Sequence, residues 1–301
     1  MPFFPDFKEV TIHDRDELLG ILHAYQPETS EFTFTNLFIW QPYYATRWSL
    51  YRDWLIIVCT DHAGSPYCLQ PIGPPHRDRV VRMLLSWLRE ELHAECPRIE
   101  RADRRLVKEL GDLSAWCVSP QREHFDYVYK TDALISLSGR KYHAKKNHIN
   151  KFMAAYAFTY TPLNQSLIQS CLALQDLWCR CHRCVEDMSL MGEWEAIKKL
   201  LEHVALLQVQ GGAILIDGKV EAFTIGEQLN HSTAVVHIEK ANPNIPGLYS
   251  VINQQFCKNA WKDVLYINRE QDLGDDGLRQ AKLSYHPDHL VEKYRIEAAV
   301  R

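Results

Sequence analysis

The 301 residues contain no apolar run approaching the roughly 20 needed to span a bilayer. The N-terminus, MPFFPDFKEV, has no basic segment leading into an apolar one, as a secretory signal would. The expectation is a chain with no integral membrane segment, located in the cytoplasm. A large excess of one sign of charge is also lacking. The formal net charge is −4, which argues against a broad nucleic-acid-coating surface but leaves room for one local basic site. Paired cysteines are not evident either. There are nine, an odd number, mostly scattered. Cys59, Cys68 and Cys257 fall in apolar or mixed segments, where a reduced thiol is a small buried hydrophobe. Only Trp178–Cys184, WCRCHRC, gathers soft ligands. Four in six residues can bind zinc. The segment, however, continues a helical pattern from Leu167, and on a helix Cys179 and Cys181 diverge by about 200°. No second ligand pair stands at zinc-finger distance. The expectation is a helix end with incidental thiols and no metal.

What is present is a local concentration of positive charge. Leu137–Phe152, LSGRKYHAKKNHINKF, holds Arg140, Lys141, Lys145, Lys146 and Lys151 with no acidic residue. At about 100° per residue, Tyr142, Ile149, Phe152, Met153 and Tyr156 form one apolar stripe, flanked by Lys145 and Lys146. Two lysines at the edge of a buried stripe either hold an anion in a cleft or snorkel past the packing surface to water.

The chain length suits one large domain or two ordinary ones. In the N-terminal part the pattern predicts a helix at Asp14–Tyr25 capped by Thr11 or Asp14, and an aromatic-rich segment Glu31–Tyr44 stopped by Pro42. Short strands follow at Trp54–Thr60 and Tyr67–Ile72, then helices at Arg79–Leu92 and Ile99–Leu113. Phe125–Leu137 reads as a strand leading into the basic helix. The C-terminal part begins with a strand at Tyr156–Leu163 and helices at Gln165–Cys181 and Glu193–Gln208. Three strands follow, Gly212–Ile216, Val220–Glu227 and Thr233–Glu239, with Asp217-Gly218 a hairpin signal between the first two. A helix at Leu248–Trp261, a strand at Val264–Asn268, a helix from Asp275 and a strand at Leu290–Ile296 complete the order. The mixture indicates α+β or α/β architecture.

That C-terminal order is similar to the Gcn5-related acyltransferase fold. Three motifs are narrower: LSGRKYHAKKNHINKF, NREQDLGDDGLRQAKLSYHP (Asn268–Pro287) and EFTFTNLFIW. Together they resemble the family built around the C-terminal catalytic domain of phosphatidylglycerol lysyltransferase, over nearly the whole chain. The resemblance implies two tandem acyltransferase-like domains with mixed, mainly antiparallel sheets, similar to the Fem-type aminoacyl-tRNA-dependent transferases. It places them at residues 1–137 and 156–301, with a basic connecting helix at 138–155. It implies functional roles for Glu270, Asp272, Arg279 and Lys282.

The residues fit such chemistry. Aminoacyl transfer needs alignment, oxyanion stabilisation and a base, and a tRNA donor adds phosphates that attract Lys or Arg. Glu270 and Asp272 follow a strand end, where each can serve as base, hold a cationic amino-acid group, or simply pair locally. Arg279 and Lys282 recur on one helical face with His286, an anion-binding or a solvated face. His237 and Glu239 end a strand where this fold exposes backbone to its acyl donor, although His237 also suits a satisfied core position. Trp40, Tyr43 and Tyr44 can stack a base or fill a core. The expected working cleft joins Lys145 and Lys146 to Glu270, Asp272, Arg279 and Lys282.

The expected function is acyl or aminoacyl transfer, with aminoacyl-tRNA as co-substrate and a small-molecule or peptide amine or hydroxyl as acceptor. One alternative is an acyl-CoA-dependent N-acyltransferase. Its glycine-rich pyrophosphate turn would fall at Lys240–Leu248, KANPNIPGL, where Pro246 removes an amide. The other is a non-catalytic binding or regulatory protein of the same fold.

Overall fold

The computed structural model describes residues 1–299; Val300 and Arg301, the last two positions of the expected C-terminal domain, lie outside the described residues. The chain divides into two compact units. One comprises Met1–Asp126, Gln271–Asp275 and the segment from Leu290; the other comprises Tyr127–Glu270 and Asp276–His289. The divisions drawn from the sequence at 137/138 and 155/156 both fall inside the second unit.

In the first unit the strands are β1 (Lys8–Glu9), β2 (Arg47–Tyr51), β3 (Trp54–Thr60), β4 (Pro66–Leu69), β5 (Ile99–Ala102) and β6 (Trp116–Pro120). The C-terminal strand Tyr294–Ala298 inserts between β5 and β6, giving the order β1-β2-β3-β4-β5-C-terminal-β6. All pairings are antiparallel except β4 with β5. The helix Asp78–Glu90 buries Val80, Val81, Leu84, Leu85 and Leu88 against Ile56, Val58, Cys68, Ile99 and Ile296. That spacing is the helical stripe visible in the sequence. The expected helix Ile99–Leu113 is corrected. Ile99–Ala102 is a strand, and the helix runs only over Arg104–Glu109, because Asp103 caps it by accepting from the Leu106 amide. Pro42 does not stop the aromatic segment; it sits in the first turn of the short helix Gln41–Tyr44, where a missing amide costs nothing.

The second sheet is built from β7 (Asp126–Lys130), β8 (Phe158–Pro162), β9 (Gln210–Ile216), β10 (Lys219–Asn230), β11 (Thr233–Ala241), β12 (Tyr266–Asn268) and β13 (His289–Val291), in the order β13-β7-β12-β11-β10-β9-β8. Asp217 and Gly218 turn β9 into β10, both with positive φ (51° and 78°), as a tight hairpin requires. β12 runs parallel to β11 and is reached through the helix Leu248–Ala260. The basic helix, His143–Ala155, buries Ile149 and Phe152 and follows the buried Tyr142. Met153, expected in the same stripe, is 56% exposed. The helix Ile168–His182 ends in a left-handed Arg183, and the chain then turns back so that Cys184 is disulfide-bonded to Cys179. Those two thiols are therefore not incidental, a correction to the sequence reading; Cys181 between them is free and exposed. The reversal at Arg183 brings together sulfurs that the helix alone would hold apart. Among the described residues no helix is long and apolar enough to cross a membrane.

Candidate active site in the second unit

β11 and β12 part company. Their parallel register ends at Val235 opposite Asn268, while β11 continues to Ala241 with β10 on its other side. A bulge accompanies the split. Gly226 faces Val236 and Ile225 faces Ile238, so His237 is the extra residue. Gly226 is needed there, since a Cβ would stand 2.3 Å from the Val235 carbonyl oxygen.

Two charged pairs span the parting strands. His237 donates from Nδ1 to Glu270 (3.0 Å) and from Nε2 to Glu227 (2.9 Å), with its side chain only 1% exposed. Both ring nitrogens face carboxylates, so both carry protons. Burial alone would push its pKa down, but the bonds to Glu227 and Glu270 outweigh it and raise the value to about 9. His237 is thus an imidazolium at neutral pH and not a base. The second pair is Arg269 with Glu239, at 2.9 Å. Asn253 donates to the other Glu239 oxygen at 3.0 Å. Burial opposes the Arg269 charge, yet Glu239, Tyr129 and Tyr285 hold its pKa above the ordinary arginine value.

Lys145 joins this cluster. Its Nζ lies 4.2 Å from the centre of the Tyr285 ring, and the Arg269 guanidinium lies 4.9 Å from the same centre. Partial burial first, and the Arg269 charge second, lower the Lys145 pKa; Glu239 opposes them. Within the cluster one donor and one acceptor are left over. Arg269 Nη1 and Asn253 Oδ1 are buried without hydrogen-bond partners. Because Asn253 donates through Nδ2 to a carboxylate, its amide orientation is fixed and Oδ1 remains the acceptor.

The other expected residues are placed differently. Lys146 is exposed. Lys282 is buried, its ammonium held by the backbone carbonyls of Arg269 and Glu270, so its charge fixes the turn that carries those two residues. Glu270 takes a left-handed conformation (φ 56°) in that turn, its amide bonded to Asn268 Oδ1. Arg279 is half-buried and lies 3.9 Å from Asp276, one turn away. Asp272 belongs to the first unit, fully buried, where it accepts from the Gly274 amide and pairs with Arg122 at 3.2 Å. Sequence reasoning missed Arg269, Asn253, Glu227 and Tyr285. Arg269 and Tyr285 lay inside the quoted NREQDLGDDGLRQAKLSYHP motif, and their order there was the available signal.

The loop after β11 has few amides to offer. Those of Asn242, Asn244, Ile245 and Leu248 bond to Glu221, Asn242, Asn242 and Ile245. Prolines occupy 243 and 246. Gly247 (φ 85°) is pressed against the basic helix, where a Cβ would stand 2.6 Å from the His148 carbonyl oxygen.

The split sheet, the bulge and two mainly antiparallel sheets define a tandem acyltransferase-type α+β protein, an architecture found also in tandem GNAT proteins. Residues 23–297 match the family described as phosphatidylglycerol lysyltransferase, C-terminal, and the chain belongs to that family. A conserved protein of unknown function from Bacteroides thetaiotaomicron is 32% identical, with a TM-score of 0.90 over 97% of this chain and 99% of that one. L-PGS from Bacillus licheniformis shares the fold at 12% identity, with a TM-score of 0.68 over 98% of this chain and 94% of that one. FemX shares it at 8% identity, with a TM-score of 0.58 over 96% of each chain. An uncharacterized protein of Mycoplasmoides gallisepticum is 22% identical over 175 residues, 57% of this chain. That match spans only 56% of the curated relative's length.

Proposed function

We propose that the protein is an aminoacyl transferase, with an aminoacyl-tRNA ester as donor and an amine or hydroxyl as acceptor. One observation carries the reading. Arg269 Nη1 and Asn253 Oδ1 are a buried donor and a buried acceptor without partners, held by the same Glu239. Unpaired buried polar groups are costly, so a group that supplies both complements is favoured there. An α-aminoacyl group does so: its carbonyl accepts and its ammonium donates.

In the transfer step the acceptor attacks the ester carbonyl. A new C–N or C–O bond forms, and the bond to the ribose oxygen breaks. Arg269 stabilises the oxyanion. Lys145, its pKa lowered, takes the proton from the attacking group and returns it to the departing ribose oxygen. Glu270 and Glu227 hold His237 in the bulge, and Glu239 orients Arg269. Asp272 stays outside the chemistry, as an anchor of its turn in the first unit. The acyl-CoA reading fares worse, since amides after β11 that would cradle a pyrophosphate are already bonded or replaced by proline.

The test is single-turnover transfer or ester cleavage of tRNAs charged with labelled amino acids. Lys145→Ala should slow the step about 10²-fold or more. Lys146→Ala, at an exposed position, should leave the rate unchanged. Equal rates for wild type and Lys145→Ala would defeat the assignment.

A further inference from the structure

The first unit carries a basic cavity formed by none of the residues of the candidate active site. Arg82, Ser86 and Arg89 follow one another at i, i+4 and i+7 on the exposed face of the helix Asp78–Glu90. They line a cavity of 270 Å³ together with Trp116, Leu85 and Ala115. The Arg82 guanidinium stacks over the Trp116 ring, 4.3 Å from its centre. A guanidinium placed over a ring face keeps its N–H edges available to a ligand. Among the described residues neither Arg82 nor Arg89 makes an ion pair, and no carboxylate lines the cavity. Trp116 is 6% exposed, and its indole N–H is buried without an acceptor.

The polar side of the lining is all side-chain groups that can donate, two guanidiniums and a hydroxyl, and the rest is the apolar Leu85, Ala115, Ala298 and the Trp116 ring. Such a wall selects an acceptor-rich anion. Two planar forks that bond oxygen in pairs match a phosphate better than a single carboxylate. The cavity is larger than a bare anion needs, and Leu85, Ala115 and the indole offer it an apolar side. We propose that this cavity binds a small phosphomonoester, its phosphate on Arg82, Ser86 and Arg89 and its organic part against Leu85, Ala115 and Trp116.

The experiment is a titration of the ¹⁵N-labelled full chain, followed through its indole N–H signals. Eight tryptophans give eight candidate signals, and Trp116→Phe identifies the relevant one by its loss. If that variant does not fold, Arg82→Gln identifies it instead, because only this indole lies under Arg82. Phenyl phosphate is the probe, with inorganic phosphate, phenol and sodium chloride at matched ionic strength as comparisons. The Trp116 signal should move with phenyl phosphate, more weakly with inorganic phosphate, and not with phenol or chloride. Arg89→Gln should weaken phenyl phosphate binding about tenfold while other signals stay in place. A Trp116 signal that does not respond, one that responds equally to chloride, or undiminished binding by Arg89→Gln would overturn the proposal.

Discussion

His237 links the stability of this protein to pH. Its side chain is enclosed, and its protonated ring is bonded to two carboxylates. Its pKa rises from 6.5 to about 9 on folding, which corresponds to about 3 kcal/mol. The folded value lies above the unfolded one, so the protonated ring contributes in full below pH 6.5. The contribution declines as pH rises and is gone above about 9. Unfolding free energy measured across that range should fall accordingly, and His237→Asn should flatten the decline. A wild-type curve as flat as that of the variant would show that the ring is not charged in the fold. The same residue shows how much of the site was legible in sequence. A buried, satisfied histidine is readable from an apolar strand. The bulge that makes it the unpaired residue is not, because it arises from register against β10.

At the scale of elements, the fit between the basic helix and the loop before Leu248–Ala260 is close. Gly247 has φ 85° and no room for a Cβ beside His148. Gly247→Ala should destabilise the fold by about 1–3 kcal/mol, measured by chemical denaturation. A neutral effect would mean that the loop does not bear on that helix. The turn after Ile168–His182 carries a second prediction. Iodoacetamide applied without reductant should label Cys181 and spare Cys179 and Cys184. Reduction of so short a loop should cost about 2 kcal/mol of stability. Labelling of all three cysteines would contradict the bond. Element type was readable wherever one period dominated: Asp78–Glu90 by its helical stripe, β9 and β10 by the Asp217-Gly218 turn. It failed at Ile99–Ala102, whose short run carries both helix formers and a strand's burial. There β4 decides, by pairing in parallel with β5. The sequence reading also missed β2 and β6, as well as the return of the C-terminal strand to the first sheet. Pairings between distant segments leave no local mark.

At the scale of the molecule, the family membership and the split sheet fix the class, and the donor is the question that matters. The motif LSGRKYHAKKNHINKF contains five lysines and arginines, yet the structure distinguishes them: Lys145 sits on Tyr285 beside Arg269, while Lys146 is exposed. Positive charge on the surface alone would bind any polyanion and release it as salt rises. A shaped site should also distinguish an esterified amino acid from a bare tRNA end. The most direct measurement compares equilibrium binding of aminoacyl-tRNA, deacylated tRNA and acetyl-CoA to wild type and Asn253→Ala at two salt concentrations. The account predicts that wild type prefers aminoacyl-tRNA to deacylated tRNA at both salts and binds acetyl-CoA weakest. Asn253→Ala should lose that preference while keeping its affinity for deacylated tRNA. Tight acetyl-CoA binding with no preference for the charged tRNA would contradict it.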